Sequence, residues 1–112
     1  MSRPPRQRRA DYAHFVPITT RWMDNDIFGH VNNVVYLSFV DTVVNRYLRE
    51  AGGLDPATSP IIPYAVESGC RYLASIAYPD PVTGGLRVGH LGRSSVRYEV
   101  GIFRADEDAA AA

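Results

Sequence analysis

From His14 to Trp22 (HFVPITTRW) apolar and polar residues nearly alternate, and β-branched and aromatic side chains dominate, which predicts a strand. Pro17 lacks an N–H to give to a ladder, so this strand belongs at a sheet edge or carries a bulge. Met23 to Asn32 is polar and reads as a loop. From Asn33 to Ala51 the period changes: apolar residues fall at 36, 40, 43 and 47, flanked by 37, 44 and 48, which is the spacing of a helix with a broad apolar face. Asn32 or Asn33 can cap its start, and Gly52-Gly53 stops it after Arg49 in the last turn. Its many valines lower intrinsic helix propensity, so burial must hold it together.

After a Pro-rich loop (Asp55 to Pro63) three further strands are expected: Tyr64 to Ala77, about Leu86 to Leu91, and about Ser95 to Arg104. Gly84-Gly85 and Gly92-Arg93 are read as the connections between them. The order strand, long helix, then antiparallel strands is that of an α+β domain in which a sheet wraps one helix. Residues 1–11 form an Arg/Pro-rich disordered tail in this reading, 12–104 the domain, and 105–112 an acidic, Ala-rich solvated tail.

At 112 residues the chain is one domain, close to the lower size at which a core sustains itself. Its net charge is zero, and all 12 basic residues are arginines. Arg3, Arg6, Arg8 and Arg9 crowd the first nine positions, but no aromatics interleave them, so no nucleic-acid partner is expected. No apolar run approaches the roughly 20 residues that span a bilayer, and the start has no signal-like apolar core, so a cytoplasmic protein without membrane contact is expected. The single cysteine, Cys70, excludes an internal disulfide and is read as a small buried hydrophobe.

Candidate chemistry concentrates between Arg21 and Tyr36, where Asp24, Asp26, His30 and several carboxamides precede a helix start. Backbone N–H groups point outward unpaired there. A carboxylate beside such donors suits acyl transfer: the carboxylate activates water or attacks, and the N–H groups receive the developing oxyanion. Asp24 and Asp26 also suit turn positions, and Asn32 suits a cap. Asp24, Asp26 and His30 would offer three ligands to a divalent ion, but no further His or Cys cluster joins them, and no metal or other cofactor is expected. His14 and His90 are isolated and read as structural or exposed. Arg93, Ser94 and Ser95 form a strand turn whose guanidinium and hydroxyls suit either phosphate groups or an ordinary polar turn. Gly29 serves backbone geometry or close approach of a substrate.

The run D-x-D-x-x-x-H-V-N-N (Asp24 to Asn33) resembles that of hotdog-fold thioesterases, in particular the 4-hydroxybenzoyl-CoA thioesterase-like acyl-CoA thioesterases, and is similar to the matching stretch of plant acyl-ACP thioesterases. Glu67 to Leu73, the Tyr78-Pro79-Asp80 corner and Leu91 to Val96 resemble further pieces of the same family, so the likeness spans about 14–104. The resemblance implies a curved antiparallel sheet around one central helix, an acyl-CoA or acyl-ACP substrate, and a homodimer or homotetramer. It places Asp26 at the catalytic carboxylate, His30 at the histidine of the acyl-ACP pattern, and the backbone N–H near Asn33 at the thioester carbonyl. By the same token part of the stripe Tyr36, Val40, Val43 and Tyr47, which its spacing alone assigns to the core, lines an acyl channel beside the helix. Glu67 either reaches a site across a subunit interface or pairs with an Arg at the surface. Phe28 stands where the plant pattern has an Asn, so a triad does not carry over whole. The family adds a strand after the last one here, so the expected fold lacks that strand, with 105–112 as a candidate truncation point. Two other readings fit the same residues: a module that binds acyl-CoA or acyl-ACP without hydrolysis, and a same-fold hydratase or dehydratase. The last usually separates its Asp and His by four residues, where Asp26 and His30 have three between them.

Overall fold

The computed structural model describes residues 5–55, 57–61 and 63–112, so Arg3 and two positions of the 55–63 loop lie outside it. Three strands, β1 (His14–Ile18), β2 (Val82–Leu91) and β3 (Val96–Arg104), form an antiparallel sheet in the order β1-β2-β3. One helix, α1 (Asn33–Glu50), contacts all three. This is the hotdog arrangement, with a three-stranded sheet among the described residues. Pro17 sits in β1, which pairs only with β2 and is therefore the edge that a proline tolerates.

The helix starts where expected because the Asn32 side chain accepts the Val34 N–H. It ends with Ala51 as its C-cap and Gly53 at φ +66 just beyond. Its buried stripe is Tyr36, Phe39 and Val43, with Val40 and Tyr47 packed at the margins. Phe39 belongs to the face that the sequence period centred on Val40. Val43 is wholly buried against Val16 and Leu86, while Tyr36 and Phe39 meet Val31, Ile76, Val82 and Ile102. Each such side chain withdrawn from water contributes about 1.5–3 kcal/mol, which offsets the poor propensity of the valines. His14 packs edge-on to Tyr47 with ring centroids 5.2 Å apart, so it is structural.

Four expectations need correction. The first strand stops at Ile18, and Trp22–Asp24 is a short 3-10 turn, because the Asp24 carboxylate folds back onto the Arg21 N–H. Gly84 and Gly85 are interior to β2 and do not connect strands. A Cβ at Gly84 would collide with Val43, and one at Gly85 would press on Phe15 and Tyr12, so their bareness admits close neighbours. The stretch 64–77 joins no ladder; its backbone bonds are scattered, Leu73 and Ala74 donating to the Ala111 carbonyl and the Ile76 carbonyl accepting the Val31 N–H.

The termini are the fourth correction. Residues 105–112 are no solvated tail: Ala110 and Ala111 are buried, and Ala111 and Ala112 exchange backbone hydrogen bonds with Ile102. Residues 6–11 clasp that segment. Arg6 donates to the carbonyls of Ala109 and Ala110, Arg9 donates to those of Ala105 and Glu107, and its guanidinium lies 4.9 Å from the Phe103 ring centre. Arg8 pairs with Asp108 at 3.0 Å.

The Arg8 hydrogen bond holds the Asp108 carboxyl below its ordinary value of 3.8. A lowered folded value means that the pair's contribution is complete above the ordinary value and fades as pH falls through the folded one. Acidification through that window should lower the protection of the Arg9 amide, whose N–H bonds to Asp108, relative to its intrinsic exchange rate at each pH, before β2 and β3 respond. Simultaneous loss of protection in the arm and the strands would show that this pair does not hold the arm.

Candidate active site

The candidate loop owes its shape to Asp24. This residue is 1% exposed, and its carboxylate accepts the Arg21 N–H at 2.7 Å and the Arg21 guanidinium at 2.9 and 3.2 Å. Its carbonyl accepts the Asn32 N–H at 2.9 Å, so the start of the loop is bound to the base of the helix. Asp24 thus holds architecture, and its carboxylate is turned from Asp26 to Arg21. Among the described residues no group of three or more His, Cys, Asp or Glu is placed to hold a metal ion.

Between these anchors the chain makes a tight turn. The Asp26 N–H bonds to the His30 carbonyl at 3.0 Å, and Gly29 donates back to the Asp26 carbonyl at 3.0 Å. Gly29 takes φ +79, where a side chain would be strained, so its role here is backbone geometry. The Asp26 carboxylate accepts the Phe28 N–H on Oδ1 at 2.9 Å and faces the Asn32 amide on Oδ2 at 3.4 Å. It is half-buried, with a charged oxygen presented at the entry of α1. Asn25 braces the far side by accepting the Tyr78 N–H at 3.0 Å.

Asn33 is the first residue of α1, and among the described residues no protein acceptor meets its N–H, as the position demands. Its carbonyl accepts the Tyr72 hydroxyl at 3.0 Å, and Tyr72 stacks edge-on against Tyr36 with centroids 5.2 Å apart. The His30 side chain is exposed beside this turn. Asp26, Gly29, His30 and Asn33 are therefore brought together at one helix entry.

The remaining candidates lie elsewhere. Tyr36 is 3% exposed and forms part of the core, backing the site through Tyr72, and burial raises its phenol above the ordinary range. Glu67 is exposed on the unladdered stretch. Arg93, Ser94 and Ser95 occupy the β2–β3 hairpin, closed by a Gly92 N–H to Ser95 carbonyl bond. That hairpin stands about 30 Å along β2 from Val82, whose end of the sheet adjoins the Tyr78–Asp80 corner. Within one chain the structure does not bring these residues to Asp26.

Sequence reasoning passed over three contributors. Tyr72 carries no signal of its own within Glu67 to Leu73, and Asn25 none within the motif. Asn32 was read as a cap, which it is, but it also faces Asp26. The signal for that second role is the spacing of six from Asp26 to the N-cap, which a tight turn closes into contact. Removing the Tyr72 hydroxyl (Tyr72→Phe) should lower stability slightly, through the loss of one hydrogen bond at the surface. Urea unfolding reads this, and a zero change would mean that water serves the Asn33 carbonyl equally well.

Known proteins resemble this chain in sequence and fold. The family model described as the thioesterase superfamily matches residues 28–111, beginning two residues after Asp26. The PA5185 protein of Pseudomonas aeruginosa has a crystal structure to which this chain is 51% identical, with a TM-score of 0.92 over 96% of this chain and 75% of that one. A Thermus thermophilus thioesterase solved with coenzyme A and zinc is 31% identical, with a TM-score of 0.70 over 88% of this chain and 78% of that one. A proposed acyl-CoA thioesterase from Xanthomonas campestris is 29% identical, with a TM-score of 0.77 over 87% of this chain and 83% of that one. No curated protein matches. With the family model covering most of its length, and with the hotdog sheet and helix in place, this chain belongs to the thioesterase superfamily.

Proposed function

We propose that the protein hydrolyses an acyl-CoA thioester to the free acid and CoA. The observation that carries this reading is the pairing at one helix entry of a half-buried carboxylate, Asp26, with the unengaged Asn33 N–H. The reaction needs little more. Ionised Asp26 removes a proton from water as that water attacks the thioester carbonyl, or attacks the carbonyl itself to give a mixed anhydride that water then cleaves. The carbonyl oxygen gains negative charge, which the Asn33 N–H and the positive end of α1 stabilise. The carbon–sulfur bond breaks, and the leaving thiolate takes a proton to give CoA. His30, exposed on the same turn, orients the thioester. Single turnover in ¹⁸O-water separates the two routes, because only the anhydride route leaves label in Asp26.

A second copy of the chain completes this reading. Tyr64 and Val66 are 87% and 90% exposed on the stretch that joins no ladder, and Trp22, Ile27 and Phe28 stand out beside Asp26. A dimer or tetramer covers such groups and lets Glu67 of one copy approach the site of another. The Arg93–Ser95 hairpin then meets the phosphates of a CoA whose thioester lies elsewhere. No helix among the described residues is long and apolar enough to cross a membrane, and we place the protein in the cytoplasm.

CoA release measured with a thiol reagent, across aliphatic and aromatic acyl-CoA, tests the proposal; turnover of at least one is expected. One observation favours a rival, an acyl-CoA-binding module: Asp26 Oδ1 is already committed to the Phe28 N–H. Tight acyl-CoA binding without CoA release would establish that rival.

A further inference from the structure

We infer that Asn32 is a positioning residue for Asp26, holding the carboxylate in register with the helix N-terminus; this rests on the hydrolase reading above. The argument starts from the two ends of one carboxamide. The Val34 N–H, 3.0 Å away, needs an acceptor, so that end of the side chain is the oxygen, Oδ1. The nitrogen, Nδ2, is then obliged to face Asp26 Oδ2, 3.4 Å away. A carboxylate is what this donor requires. On the opposite side the Phe28 N–H holds Oδ1 at 2.9 Å, so the Asp26 carboxylate is gripped from both flanks.

The two flanks differ in kind. Phe28 belongs to the same turn as Asp26 and moves with it. Asn32 belongs to the helix: its N–H bonds to the Asp24 carbonyl at 2.9 Å, and its own carbonyl accepts the Val35 N–H at 2.9 Å. The Asn32 amide therefore ties the orientation of the proposed base to the element that carries the Asn33 N–H. Without that tie the carboxylate can swing about its turn while the oxyanion donor stays fixed.

Helix capping alone does not require asparagine here. Asn, Asp and Ser cap about equally well, because each offers an oxygen to the N2 or N3 amide. Only Asn carries a donor on an atom separate from the capping oxygen and far enough out to reach Asp26. Asn32→Ser keeps the cap and withdraws the donor from Asp26, because its O–H sits on the capping atom itself, one bond nearer the backbone than Nδ2. Asn32→Asp keeps the cap and sets a second carboxylate against the first, a like-charge pair at hydrogen-bonding range.

Both variants should therefore melt within a few degrees of wild type, as a preserved cap requires. In the acyl-CoA assay kcat should fall about 10-fold to 10²-fold in the Ser variant, and further in the Asp variant, with KM nearly constant. A second readout needs no activity. The temperature coefficient of the Phe28 amide in ¹H–¹⁵N spectra should shift toward that of a free amide in both variants as Asp26 loosens, while that of Val34 stays put. Unchanged kcat together with an unchanged Phe28 amide overturns the inference. If wild type itself releases no CoA, the hydrolase reading fails separately, and the Phe28 amide alone decides whether Asn32 holds Asp26.

Discussion

Replacing Asp26 by asparagine should lower kcat by about 10²–10⁴, the range that a positioned proton acceptor contributes, with the fold intact. The substitution is conservative toward everything except the chemistry. Asparagine keeps an oxygen for the Phe28 N–H, so the turn closed by Gly29 survives. It does place an amide nitrogen toward the Asn32 nitrogen, forfeiting a contact that is already long at 3.4 Å. The stability cost is therefore at most about one ordinary hydrogen bond, 0.5–1.5 kcal/mol, and a melting curve separates it from the catalytic loss. Steady-state CoA release with the best acyl-CoA is the measurement. A variant that turns over like wild type would remove Asp26 from the reaction and leave its carboxylate as a turn element only.

Asp26 could be singled out in the sequence because a D-x-D pair ahead of H-V-N-N is an unusual concentration of acids and amides. Residue type and spacing alone do not separate Asp24 from Asp26; the resemblance does, by matching Asp26 to the catalytic carboxylate and leaving Asp24 a structural hydrogen bond. Both are aspartates in a polar loop, and only the fold shows one buried on Arg21 and the other open at the helix entry. The helix was legible almost to the residue, since its period, cap and terminal glycines agree. The stretch 64–77 was not, since alternation of apolar residues predicts the pleat and not the partner. Its Tyr64 and Val66 carry the strand pattern and stand almost fully exposed. Gly84-Gly85 misled for a related reason. Glycine marks turns and also marks places where something packs too closely for a side chain, and the sequence does not say which. The arm failed for a third reason: four arginines near a terminus look solvated until a distant segment is found to receive three of them, Arg6 and Arg9 on its carbonyls and Arg8 on the Asp108 carboxylate.

The Gly84 contact is where packing and proposed chemistry meet, and it yields the largest effect on stability expected here. Gly84 lies near the start of β2, the central strand, beneath α1, where an added Cβ would occupy the place of Val43 Cγ2. Val43 is wholly buried and cannot yield without moving the helix. Gly84→Ala should therefore destabilise the domain by about 1–3 kcal/mol, the usual cost of overpacking a filled core. In melting temperature that is roughly 4–8 °C per kcal/mol for a domain of this size. Val43→Ala alone should also destabilise, by about 1.5–3 kcal/mol, through lost burial and the cavity left behind. The double variant is the informative one. With Val43 cut back to its Cβ, the nearest remaining atom of that residue lies 3.5 Å from the new methyl, an ordinary contact. The new methyl then enters the space that the valine vacated, and the two losses should fall short of their sum by about 0.5–3 kcal/mol. Strict additivity would mean that the sheet, and not the helix, absorbs the clash. Turnover offers a second axis. Val43 stands ten residues into α1, about 15 Å from the Asn33 N–H. If the Gly84 methyl lifts the helix as a rigid rod, Gly84→Ala should lower kcat well below the melting temperature, and the added Val43→Ala should restore it. A helix that merely frays at its far end would leave kcat untouched in all three variants, because Asn33 would then keep its place beside Asp26.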